Sequence, residues 1–130
     1  MSARHASLGV VGLALLGIAL GACGSSGSPA ATPASFPPDA ARVVAQGDAF
    51  TTGSVAVPAG APFSLVLDNR DSEPHNVTIL ANDSGGKSPF VGEVFGGPSA
   101  RLYSVPALPA GTYQFRCDVH PGMTGTIVAG

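Results

Sequence analysis

Charge is scarce in this sequence: of 130 residues, six are Lys or Arg and eight are Asp or Glu, 11% together, for a formal net charge of −2. No positive field is available to gather phosphates, which excludes nucleic acid as a partner. Helix-forming stretches are lacking as well. With 18 Gly and 12 Pro, no 12-residue window carries an apolar i, i+3, i+4, i+7 stripe free of a breaker, so a bundle or coiled coil is ruled out. The apolar run near the N-terminus, Leu8 to Leu20, is 13 residues long, short of the roughly 18 to 20 that span a bilayer. The chain has room for one modest core and none for a cleft between two domains.

What is present begins with an export signal. Arg4 and His5 form a basic head ahead of that apolar run, so residues 1–22 read as a signal peptide rather than as part of the fold. The segment Leu20-Gly21-Ala22-Cys23-Gly24 resembles the lipobox of bacterial lipoproteins, in which the Cys is acylated and becomes the new N-terminus. The resemblance implies lipidation of Cys23 and tethering to the outer face of the cytoplasmic membrane, on the periplasmic side of the cell envelope. Several acyl chains together make a stable anchor. The alternative is an ordinary secretory signal that leaves Cys23 as a stray thiol, a liability in an oxidising compartment. Gly24 to Pro38 is uncharged and holds one large apolar side chain, Phe36. It cannot offset its ordering entropy, so residues 23–39 read as a lipidated Cys and a flexible linker reaching about 20 Å as a coil.

Residues 40–130 form the expected domain. Short apolar or alternating runs punctuated by Gly, Pro and Asn/Asp predict strands near Arg42–Gln46, Ser54–Val57, Phe63–Asp68, Asn76–Ala81, Val91–Phe95, Arg101–Val105, Gly111–Cys117 and Gly125–Val128. Seven to eight short strands in about 90 residues imply an all-β, antiparallel Greek-key β-sandwich. Composition reaches no farther, because sandwiches serve as adhesins, carriers and binding modules alike.

The functional signal lies in four scarce side chains. Without the leader and Cys23, the chain keeps two histidines, His75 and His120, one cysteine, Cys117, and one methionine, Met123. Cys117, His120 and Met123 recur at every third position of one turn-rich loop, and His75 starts a strand about 40 residues earlier, where a Greek key brings distant segments together. Thiolate and thioether favour soft Cu(I), imidazole accepts both copper oxidation states, and a His₂Cys plane with a long axial Met describes the blue-copper electron-transfer centre. Structural zinc sites are completed by Cys, His or carboxylate, so a zinc reading would have to explain away Met123. Taken singly, each of the four is commonplace as packing or surface. Their joint occurrence is what points to a metal.

These residues resemble the cupredoxin family, the type 1 blue copper proteins, and the Cys-x₂-His-x₂-Met spacing with Pro121 after the His is of the amicyanin kind; plastocyanin is similar with a longer His-to-Met stretch. The run from Asp68 through Pro74-His75-Asn76-Val77 resembles the family's approach to its first His ligand. The resemblance implies one type 1 copper per chain held by His75, Cys117, His120 and Met123. It also implies that Asn76 donates its backbone N–H to the Cys117 sulfur and braces the ligand loop with its side chain. After the Cys the family usually has Ser or Thr; here it is Asp118, which either favours Cu(II) beside the site or turns to solvent. His120 would be the edge ligand, framed by Pro74, Pro121, Gly122 and Phe90 or Phe95 as a docking face for redox partner proteins. In some relatives this His leaves copper on reduction.

The sequence therefore predicts a monomeric one-electron carrier that is not an enzyme. Two histidines committed to metal leave no base for a Ser/His/Asp hydrolase, and none remain for a second copper. The alternatives are a copper carrier that donates metal to a membrane oxidase, and a metal-free binding sandwich. Gly86-Lys87-Ser88 resembles the tail of a phosphate loop, but Ala81 stands where its first Gly would fall. It reads as a surface turn within loop Asn82–Pro89. Asp71 and Glu73 read as solvated charges.

Overall fold

The computed structural model describes residues 35–82 and 86–130; the signal peptide, Cys23, most of the linker and part of loop Asn82–Pro89 lie outside the described residues. Eight strands follow in order: β1 (Ala41–Ala45), β2 (Ser54–Val57), β3 (Phe63–Asn69), β4 (Thr78–Ile79), β5 (Phe90–Val91), β6 (Ser99–Val105), β7 (Gly111–Arg116) and β8 (Thr124–Ala129). They form a three-stranded sheet, β1-β3-β6, and a five-stranded sheet, β2-β8-β7-β4-β5. The pairing is mixed. β1 runs parallel to β3 and β2 parallel to β8, which corrects the expectation of a purely antiparallel sandwich. Both pairs join strands that are not consecutive in the chain, so the link between them is long enough for a parallel crossover.

Strand β7 shows why these residues extend. Tyr113 and Phe115 face inward while Thr112, Gln114 and Arg116 face out, a period of two that buries one face and solvates the other. The core lies between the sheets, with Val43, Leu65 and Leu67 from one meeting Ile79, Phe115 and Ile127 from the other. Its centre is tightly packed: the Phe50 and Phe115 rings sit 5.1 Å apart and tilted, and Phe115 lies directly across the β7–β8 ladder from Gly125. A Cβ at Gly125 would overlap the Phe115 ring.

Two expected strands are far shorter than the sequence suggests. The apolar run Asn76–Ala81 contributes only Thr78 and Ile79 to the ladder, and Val91–Phe95 gives way to Phe90–Val91. The residues released do other work. Asn76 turns its amide to side-chain and loop partners, and Phe95 exchanges two backbone bonds of 3.1 Å with His75 as an isolated bridge. Tyr103 of β6 supports this segment, donating its hydroxyl to the Glu93 carbonyl at 2.7 Å and packing its ring edge-on against Phe90 and Phe95. Burial pushes the Tyr103 phenol up to about 12.

The Phe115–Gly125 fit yields a stability prediction. Gly125→Ala should cost about 1–3 kcal/mol by overpacking, and thermal unfolding should register each kcal/mol as a fall of roughly 4–8 °C in a domain of this size. An unchanged midpoint would show that the ring moves aside freely.

Candidate metal centre

His75 is placed by the chain that precedes it. Asn69, at the end of β3 and fully buried, donates its amide to the carbonyls of Glu73 at 2.9 Å and Phe95 at 3.2 Å, and accepts the Asp71 N–H at 3.0 Å. These bonds wrap the 70–74 turn around one side chain. The Phe95 bridge then fixes the His75 backbone. The ring itself is fixed by Asp71, whose Oδ2 lies 3.0 Å from His75 Nε2. A carboxylate accepts only, so Nε2 carries the proton and Nδ1 presents a bare lone pair on the opposite side.

Asp71 is anchored in turn. Its two oxygens accept the N–H groups of Gly47 at 2.7 Å and Asp48 at 3.2 Å. Those residues are the centre of a tight β1 hairpin turn closed by Gln46 N–H to the Ala49 carbonyl, and both have positive φ, 65° and 53°, which aims successive N–H groups at one anion. The Gly47 N–H is the main cause holding the Asp71 carboxyl below the ordinary carboxylate range; burial opposes it, and Asp48 and His75 reinforce it. Asp71 is therefore not the freely solvated charge that the sequence suggests. Glu73 is exposed as expected.

The other donors come from the turn between β7 and β8. The Cys117 N–H donates to the Met123 carbonyl at 3.0 Å and the Met123 N–H to the His120 carbonyl at 2.8 Å, so the loop closes on itself. Cys117 is fully buried and Met123 nearly so, while His120 is half-buried. Cys117 Sγ lies 3.8 Å from His75 Nδ1 and 3.9 Å from His120 Nδ1, and the two nitrogens are 3.2 Å apart. The centre of that triangle is about 2.1 Å from every corner, the length of a bond from a transition metal to imidazole nitrogen. The donor set fits copper on two counts, since size matches and a thiolate with two imidazoles suits both of its oxidation states.

What Asn76 contributes is its side chain. Its Oδ1 accepts the Asp118 N–H at 2.8 Å, and its Nδ2 donates to the Gly92 carbonyl and to Asp118 Oδ2, both at 2.9 Å. Asp118 Oδ2 also accepts the Thr78 hydroxyl at 2.6 Å, and Oδ1 faces Arg116 Nε at 3.5 Å. Asp118 thus stays exposed at the surface but turns one carboxylate oxygen, Oδ2, inward onto Asn76 and Thr78. Burial pushes its carboxyl up, but the Thr78 hydroxyl, the Asn76 amide and Arg116 outweigh that and leave it below the ordinary range.

Pro74, Pro121 and Gly122 are exposed, as expected for a rim. Phe95 is not part of it. The ring is buried beneath the Arg101 guanidinium, 4.8 Å from its centroid, because the residue is committed to bridging His75. Phe90 packs on Tyr103 instead. Val119, beside His120 in sequence and 45% exposed, offers apolar surface that the sequence reading missed.

A family model for the cupredoxin-like domain matches residues 13–129. The chain belongs to the cupredoxin family. Cupredoxins bind one type 1 copper, and His75, Cys117, His120 and Met123 are the group positioned to hold it in this member. Amicyanin from Paracoccus versutus is similar at 28% identity and a TM-score of 0.58, over 73% of this chain and 85% of that one. A reduced Cu(I) form, at pH 4, of an amicyanin mutant matches at 27% identity and a TM-score of 0.58, over 78% and 95% of the two chains. Auracyanin from Roseiflexus castenholzii shares the fold at 18% identity, with a TM-score of 0.57 over 68% and 94%. None of the curated proteins matches the chain.

The Asp71–His75 contact predicts how this cupredoxin responds to loss of the carboxylate. Asp71→Ala should leave the strand content unchanged by circular dichroism and weaken copper binding roughly 10–100-fold in competition with a chelator, as loss of an outer partner to a metal-bound imidazole typically does. Unchanged affinity would mean that the Phe95 bridge alone orients the ring.

Proposed function

We propose that this cupredoxin is a one-electron carrier with a type 1 blue copper centre, working outside the cytoplasmic membrane on a lipid anchor at Cys23. The observation that carries the reading is the convergence of His75 Nδ1, His120 Nδ1 and the buried Cys117 Sγ on one point, with Met123 closing the same loop and nearly buried, so that its thioether would complete the set. Bound there, copper supplies a reversible Cu(II)/Cu(I) couple. The residues supply a site fixed before the metal arrives. Asp71 and Phe95 hold His75 from behind, and two backbone bonds hold the Cys117–Met123 turn, so little rearrangement accompanies a change of one electron.

His120 is the member of the group that reaches the surface, and the exposed Pro74, Pro121, Gly122 and Val119 supply apolar surface at that end. Such a face suits brief contact with redox partner proteins through a small interface, with the carrier itself monomeric. The role is not enzymatic: every chemically reactive side chain in the group serves the metal. A copper donor would need its partner's ligands to reach Cys117, and the buried thiol disfavours that exchange.

The visible spectrum decides between these readings. The full chain with Cu(II) should develop an intense blue band that ascorbate bleaches reversibly, and Cys117→Ser should lack it. Colourless but tight Cu(I) binding would favour the copper donor, and no binding would overturn both.

The anchor is tested separately. Cells expressing the full chain should carry it in the membrane fraction, and Cys23→Ala should release it or leave it as unprocessed precursor without incorporation of labelled fatty acid. Equal membrane retention with no label in either form would remove the lipid from the proposal.

A further inference from the structure

The ladder between β4 and β7 pairs Ile79 with Phe115 and Thr78 with Arg116. Continued by two residues, the same register sets Asn76 opposite Asp118. Backbone pairing has stopped by then, yet the two residues remain joined, now by side chains. Asn76 Oδ1 takes the Asp118 N–H at 2.8 Å, and Asn76 Nδ2 gives a bond back to Asp118 Oδ2 at 2.9 Å. The Thr78 hydroxyl adds a third bond to the same oxygen at 2.6 Å. Asn76 and Thr78 are almost wholly buried, at 1% and 3% exposure.

This clasp joins the residue after one imidazole ligand to the residue after the thiol ligand. It therefore fixes the spacing of His75 and Cys117 at the point where the sheet no longer does so. A neutral hydroxyl, of the kind the family usually has here, could accept the same amide. The carboxylate differs in bringing a negative charge, and its partners keep that charge in place: an amide N–H has only donor character, and Arg116 balances the outer oxygen from 3.5 Å.

We propose that Asp118, held by the Asn76 side chain that braces the ligand loop, acts as a fixed negative charge on the residue next to Cys117 and biases the metal toward Cu(II). The inference rests on the copper reading given above. A negative charge stabilises the more positive ion of a couple, so its removal favours Cu(I).

The experiment is a spectroelectrochemical titration of the copper-loaded full chain beside Asp118→Asn and Asp118→Ser. Both variants keep an acceptor for Asn76 and lose the charge. Each should retain the blue band and shift the Cu(I)/Cu(II) equilibrium toward Cu(I) by about tenfold, which for a one-electron couple is about 59 mV. Thr78→Val keeps the charge and loosens the clasp. It should perturb the band and the copper hyperfine coupling more than the potential. Blue variants at position 118 with unshifted potentials would overturn the charge role. Loss of the band in both, with Thr78→Val normal, would also overturn it, making the residue a requirement for building the site. Failure of the copper reading looks different, because the unaltered chain would then show no blue band at all.

Discussion

Two imidazole nitrogens and a sulfur facing one another within 4 Å are electron-rich atoms with lone pairs turned inward, and nothing in their own chemistry keeps them there. The arrangement has to be imposed from outside the triangle. On one side the Asp71 carboxylate accepts the hydrogen bond of the His75 Nε2–H and so dictates which nitrogen is bare. On the other, the Cys117–Met123 turn is closed by its own backbone bonds. The Asn76–Asp118 pair ties the two sides together. Each device spends polar groups that would otherwise be buried without partners, so satisfying the backbone and building the site are the same act.

Much of this was legible in the sequence because the ligand types are rare. One cysteine and one methionine remain in the domain, and their spacing with His120 inside a seven-residue loop leaves few chemistries open. The inward alternation of β7 and the bounds of β2 follow from composition in the same direct way. Asp71 was not legible. Its role depends on a hairpin turn 24 residues earlier, and on Asp48 holding a positive φ that its residue type permits without announcing. The parallel pairing of β1 with β3 was equally hidden, since apolar alternation states which face is buried and says nothing of a neighbour's direction.

The short β4 shows why local propensity misleads at a site. Asn76 to Ala81 reads as one strand, and Asn76 to Ile79 are buried while Leu80 and Ala81 are half-buried. Only Thr78 and Ile79 pair on both sides. The Val77 carbonyl carries the β4–β5 register one step further by accepting the Gly92 N–H, while the Asn76 side chain is drawn to the ligand loop. A regular ladder would have exposed the first His to the sheet's own geometry, whereas ending it early leaves His75 free to be aimed by Asp71 and Phe95.

The same economy bears on the kind of traffic the site can support. Moving a metal ion to a partner requires ligands to exchange one by one, and three of the four ligand residues are buried behind a closed turn and a clasped strand end. Opening them means loosening residues held by the Cys117–Met123 and Asn76–Asp118 bonds. An electron needs no such opening. On the proposed electron-carrier reading it needs only a conducting group at the surface, and the half-buried ring of His120, beside Val119, Pro121 and Gly122, would be that group while the rest of the site stays still.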